Sequence, residues 1–173
     1  MSEIRIEPWG SGDLALMRRL LGDPVMTEHL GGPESEQKIA ERQARYEKPD
    51  SRQYKVVVGD VHAGAVGYWE KEWRGTTVWE VGWLVLPEHQ GRGLATAGMR
   101  LLLEVIKADT VQYQFVHAFP SVDNAPSNSI CRKLGFTLLE AIDFEYPPGS
   151  GSVLHCNDWR LDLTGGGALG DPG

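Results

Sequence analysis

Two hydrophobic periods alternate along the 173 residues, and the alternation predicts a mixed α/β fold in which a sheet packs against helices. Gln53–Val58 and Val111–Phe119 are rich in β-branched and aromatic residues and read as strands. Leu94, Ala97, Leu101, Val105 and Ile106 instead fall on one face of a helix.

The remaining elements follow in order. Ile4 and Ile6 open the chain as a short strand. Leu14, Met17, Leu20 and Leu21 repeat at helical spacing behind a Ser11 or Asp13 cap. A glycine-rich bend, Met26–Pro33, leads to a polar helix over Glu34–Tyr46. After the strand Gln53–Val58, a turn over Gly59–Gly64 precedes its antiparallel partner, Ala65–Trp73. Arg74–Thr77 turns again into a strand over Val78–Leu86. Beyond the strand Val111–Phe119, Asn128–Leu134 is a short helix that Gly135 ends. Phe136–Glu145 and Val153–Leu163 are the last strands, parted by the Pro- and Gly-rich loop Tyr146–Ser152. Residues 3–163 make one domain. The Gly-rich stretch 164–173 has too few side chains to bury and is expected to be a flexible tail.

Composition narrows the function. The formal net charge is −7, with Lys and Arg scattered and outnumbered, which argues against nucleic acid and gently favours a cationic partner. No apolar run nears the roughly 20 residues of a membrane span; Trp83-Leu84-Val85-Leu86 stops at Pro87. The first residues show no secretory signal, and two cysteines, Cys131 and Cys156, are too few for a disulfide framework or a zinc site. The expected setting is the cytoplasm, with both cysteines as thiols and no metal.

Chemistry concentrates in Glu80–Thr96. There a buried strand runs into Gln90-Gly91-Arg92-Gly93, which opens an amphipathic helix. Gly91 and Gly93 let main chain approach a ligand, and the first-turn N–H groups point at one spot with the helix dipole behind them. Such a turn takes phosphate or diphosphate, and Arg92 adds charge. The same glycines also suit a plain strand–turn–helix connection. A dinucleotide fingerprint would need a third glycine, where Thr96 stands, and an acid ending the next strand. A P-loop would need Gly-Lys-Ser/Thr.

Gln90-Gly91-Arg92-Gly93-Leu94-Ala95 resembles the Q/R-x-x-G-x-G/A signature of the GNAT superfamily of acyl-CoA-dependent N-acetyltransferases. Asn124-Ala125-Pro126-Ser127 and Arg132-Lys133-Leu134-Gly135-Phe136 resemble the ending of the subgroup that includes ribosomal-protein N-terminal acetyltransferases. The resemblance implies a mixed, mostly antiparallel sheet whose central strands splay to admit acetyl-CoA. It maps the pantetheine contacts to Leu84, Val85 and Leu86, and the diphosphate to Gln90, Gly91, Arg92, Gly93, Leu94, Ala95 and Thr96. Asn124 and Ser127 map to further cofactor contacts. The reaction it implies is direct acetyl transfer to a primary amine of a small molecule or protein N-terminus. A homodimer is compatible with it.

For the base, Glu80 is the one charge in an otherwise apolar strand, and family members often carry a carboxylate there. It equally reads as a strand-end carboxylate that faces solvent or pairs with Lys or Arg. Where many family members place a tyrosine acid, this chain has Cys131, which also reads as a small buried side chain. Ser127 is the other candidate acid. Glu28 and His29 lie in the bend that lines the acceptor cleft in the family, and they also read as residues of a solvated loop. His117, among Tyr113, Phe115 and Phe119, reads either as an acceptor contact or as a packed histidine. The rival functions are a non-catalytic acyl-CoA-binding or sensing module and, more remotely, a nucleotide-dependent oxidoreductase.

Overall fold

The computed structural model describes residues 3–146 and 148–165. It is a mixed α/β fold with one seven-stranded sheet, mostly antiparallel, and four helices. In chain order the elements are β1 (Ile4–Pro8), α1 (Leu14–Leu21), α2 (Glu36–Tyr46), β2 (Gln53–Val58), β3 (Val61–Trp73), β4 (Thr76–Val85), α3 (Leu94–Ala108), β5 (Phe115–Ala118), α4 (Ala125–Lys133), β6 (Thr137–Glu145) and β7 (Val153–Asp162). The strands lie in the order β1-β2-β3-β4-β5-β7-β6. Contacts group the chain into two compact units: residues up to Gly67 with Gly82–Leu102, and Tyr68–Val81 with residues from Leu103 onward.

In the first unit, β1 and β2 pair antiparallel from Ile4↔Val58 to Pro8↔Tyr54. β2 pairs antiparallel with β3, with a bulge at Val56/Val57. Trp9, Leu16, Met17, Leu20, Ile39 and Leu86 form a core against α1 and α2. Asp13 precedes α1 but does not cap it. Its buried carboxylate accepts from Gly10 N at 2.7 Å and from Lys55 Nζ at 2.9 Å, a stronger pull than a free helix amide offers. Ser35 caps α2 by accepting from Lys38 N. The strand β3 starts at Val61, not Ala65; the turn is only Gly59-Asp60. Gly64, which resembles a turn residue, belongs to the strand because a Cβ there would sit 2.2 Å from the Leu84 carbonyl oxygen. Two main chains abut at that point.

In the second unit, β4 pairs parallel with β5, the register holding Trp79↔Val116 and Glu80↔His117. β5 and β6 each pair antiparallel with β7. The β3–β4 connection is Arg74-Gly75, both at positive φ (53° and 80°), a two-residue turn of the type I′ kind. Trp79 is fully buried, with Tyr68 and Tyr113 edge-on to it at 5.0 and 4.9 Å. β5 is shorter than its sequence predicts. The Asp109 carboxylate accepts from Val111 N at 2.8 Å, and the Gln112 side-chain amide donates to Lys107 O and Asp109 O. These three bonds wind the chain around the end of α3 before a strand can start. α4 begins earlier than predicted, with Asn124 as cap and Pro126 in its first turn, where no N–H is needed. It ends in paired bonds, Gly135 N to Arg132 O and Phe136 N to Cys131 O, with Gly135 at φ 88°. At the C-terminus, Thr164 is held by Asp162 Oδ1. Residues 166–173 of the expected tail lie outside the described residues.

Candidate active site

The first unit supplies the glycine turn. β4 ends at Val85, a short 3-10 turn covers Pro87–His89, and Gln90–Gly93 delivers the chain into α3. Gly91 and Gly93 stand at φ +77° and +73°, and a Cβ at either would meet nothing within 4 Å. Left-handed backbone explains the glycines. The open space is what a ligand at this turn needs. Gly91, Arg92 and Gly93 are exposed, whereas Leu94 and Ala95 are buried and anchor the helix start; Thr96 is half-buried. Arg92 Nη1 lies 3.3 Å from His89 Nδ1. The first-turn amides of this 15-residue helix have no intrahelical acceptor, so the turn has the donor set and dipole of an anion cradle.

Gln90 turns back on the strand. Its side-chain amide donates to Val85 O at 2.9 Å, closing the turn. Leu84 and Val85 are half-buried, and Leu86 is buried with its N–H bound to Ala63 O. Glu28 and His29 pair with each other at 3.5 Å in the bend before α2.

The titratable candidates Glu80, His117 and Cys131 lie in the second unit. Glu80 keeps 21% of its side chain exposed, and Lys71 Nζ lies 3.6 Å from its Oε1. Burial raises the Glu80 carboxyl above the ordinary carboxylate range, while Lys71 and Trp69 pull it back. The Lys71 ammonium lies 5.6, 5.3 and 5.1 Å from the ring centroids of Trp73, Phe119 and Phe144. These three rings are themselves in edge or tilted contact. An ammonium is therefore held by one carboxylate and three aromatic rings.

His117, in register with Glu80, is buried; its Nδ1 pairs with Asp158 Oδ1 at 2.6 Å, and its ring stacks on Phe119. Asn124 spends its side-chain oxygen on the Ser127 N–H. Ser127 is half-buried in the first turn of α4. Cys131, one helical turn on, is fully buried and its thiol is pushed up to about 12, so it sits as a small core side chain.

Sequence reasoning did not find Lys71, Asp158 or Asn128. The Asn128 side chain is saturated: Nδ2 donates to Ser121 O and Asn124 O, and Oδ1 accepts from Asn157 Nδ2 and Trp159 Nε1 at 2.9 and 2.8 Å. The only available signal for Lys71 was its place between Trp69 and Trp73 at strand spacing, which puts all three on one face.

The family model for the acetyltransferase (GNAT) domain matches residues 3–137. The chain belongs to the GNAT family of acetyltransferases. GNAT enzymes are N-acetyltransferases that use acetyl-CoA as cosubstrate, and the glycine turn is the part of this chain that fits it. Solved structures share the GNAT fold at low identity. One is the acetyltransferase from Salmonella typhimurium that modifies the N-terminal serine of 50S ribosomal subunit protein L7/L12, at 17% identity and TM-score 0.75, covering 94% of this chain and 96% of that one. Another is AAC(6')-Ib in complex with ribostamycin and coenzyme A, at 18% identity and TM-score 0.75, covering 99% of each chain. A third is an N-acetyltransferase from Staphylococcus aureus Mu50, at 15% identity and TM-score 0.74, covering 94% and 99%. None of the curated proteins matches the chain by sequence. Among the described residues no three His, Cys, Asp or Glu could hold a metal ion, and no helix is long and apolar enough to cross a membrane.

Proposed function

We propose that this chain transfers the acetyl group of acetyl-CoA directly to a primary amine in a ternary complex, in the cytoplasm, with residues 3–163 acting as one domain. The observation that carries the reading is the open, left-handed turn Gly91–Gly93 at the mouth of α3. The diphosphate lies on the amides of Gly91 to Thr96, with Arg92 beside it, and Gln90 keeps the turn closed by holding Val85 O. Main chain at Leu84, Val85 and Leu86 meets the pantetheine arm, and Asn124 and Ser127 touch the cofactor from α4.

Glu80 is the general base. A half-buried carboxylate with a raised pKa is a better proton acceptor near neutral pH than an exposed one. The amine nitrogen attacks the thioester carbonyl, the C–N bond forms and the C–S bond breaks. The amine proton passes to Glu80, directly or through water, and the CoA thiolate takes a proton from Ser127 or solvent. His117, braced by Asp158, lies beside Glu80 in register and orients the acceptor side, to which Glu28 and His29 also contribute. The acidic chain and the aromatic surroundings of Glu80 favour a cationic amine. The acceptor belongs to the class that the aligned structures name, an aminoglycoside-like molecule or a protein N-terminus.

The test is CoA release from acetyl-CoA across a panel of amines, with calorimetry on CoA alone. Turnover on at least one amine and a measurable CoA heat are expected. Binding without turnover on any amine would instead favour a non-catalytic acyl-CoA-binding module.

A further inference from the structure

The ammonium of Lys71 stands beside the carboxylate proposed above as the base. It lies 3.6 Å from the Glu80 carboxylate and is enclosed by Trp73, Phe119 and Phe144 at 5.1–5.6 Å. Most lysines of this chain lack such a setting. Lys38, Lys48, Lys107 and Lys133 are exposed, and Lys55 is bound to the buried Asp13. Lys71 alone combines a carboxylate with a three-ring cage, and a quarter of its side chain remains open (26%). A cage of this kind recognises an ammonium of any origin, and here the chain supplies one in cis at a high effective concentration.

We propose that Lys71 is a self-acetylation site: in the absence of an external amine, the enzyme acetylates its own Lys71 Nζ. The inference rests on Glu80 being the base of the reading above. Glu80 takes a proton from the Lys71 ammonium, and the freed lone pair attacks the thioester carbonyl of acetyl-CoA. The C–N bond forms, the C–S bond breaks, a second nitrogen proton is released to solvent, and CoA leaves as thiolate to be reprotonated. The product is Nε-acetyl-Lys71 and free CoA. The side chain thereby loses its charge, so the cage loses its cation and Glu80 its partner.

The test incubates the full chain with isotopically labelled acetyl-CoA and no amine, then maps the label by peptide mass spectrometry. One acetyl group per chain at Lys71 is expected, gained at a rate independent of protein concentration and at least tenfold faster than at Lys38, Lys48, Lys107 or Lys133. Lys71→Arg should remove that label. Glu80→Gln should slow it at least tenfold; melting curves confirm that both variants fold. Label at Lys71 no faster than on the exposed lysines, or a rate that rises with protein concentration, overturns the inference. CoA release with the amine panel separates the two readings. Release with Lys71 unlabelled overturns only the self-acetylation, whereas no release and no CoA heat overturns the acetyltransferase site as well.

Discussion

Nδ1 of His117 lies 2.6 Å from Oδ1 of Asp158, and both side chains are buried. The second Asp158 oxygen accepts from Trp73 Nε1 at 3.3 Å, so one carboxylate fixes both an imidazole and an indole. Truncating it leaves the buried His117 imidazole and the half-buried Trp73 indole without that partner. Asp158→Ala is expected to cost about 3 kcal/mol, read as a lower urea midpoint with an unchanged slope. A loss within experimental error would mean that water replaces the carboxylate freely.

Glu80 sets a pH dependence. Burial raises its carboxyl, and a base works only when ionised. The rate therefore falls as pH drops through the raised value, and the acid limb of kcat/KM should lie above the ordinary carboxylate range. Lys71 lowers the same carboxyl, so Lys71→Met should push the limb higher still. Glu80→Gln should lower turnover at least tenfold with acetyl-CoA affinity unchanged. An unmoved limb in Lys71→Met, or full turnover in Glu80→Gln, removes Glu80 from the role.

The glycine turn separates binding from folding. Gly93→Glu has room for its side chain and carries only left-handed strain, about 1–2 kcal/mol. It places a carboxylate where the diphosphate is proposed to sit. Calorimetry should detect no CoA binding, while the melting curve stays cooperative and drops by only a few degrees.

Asn128 tests whether a saturated amide can be imitated. Asn128→Asp keeps the shape but sets an oxygen against the carbonyls of Ser121 and Asn124, to which Nδ2 now donates. It should destabilise at least as much as Asn128→Ala, about 3 kcal/mol in each case from groups left unpaired. Chemical denaturation of the two variants beside the parent decides it.

Cysteine labelling offers a simple check. Cys131 and Cys156 are both buried, and burial raises both thiols, Cys131 to about 12. Iodoacetamide at pH 8 should modify neither in the native protein and both after denaturation. Fast native labelling of Cys131 would contradict its place in the core.

The sequence was most legible where local conformation forces a residue choice. Gly91, Gly93 and Gly135 all stand at positive φ, and each had marked its turn or helix end in advance. Misreadings arose where a side-chain bond or a neighbouring main chain overrode the hydrophobic or glycine pattern. Val111–Gln114 alternates like a strand, yet Asp109 captures its backbone first. Gly64 looks like a turn until the Leu84 carbonyl beside it is known. Asp158 and Asn128 gave little signal, because their partners stand far off in sequence: Asp158 bonds a histidine 41 positions away, and Asn128 an indole 31 away. Periodicity reads burial, whereas a pairing of this kind exists only once the chain has folded.

Each compact unit is assembled from two separate stretches of the chain, interrupted by a piece of the other at Gly67/Tyr68, Val81/Gly82 and Leu102/Leu103. No single cut can therefore liberate either half. A break at the Arg74-Gly75 hairpin would give two fragments that each hold an incomplete share of both, so they should be unstructured apart and regain order only on mixing. Anyone dividing this enzyme to make a split reporter gets that all-or-none behaviour from the threading of the chain itself.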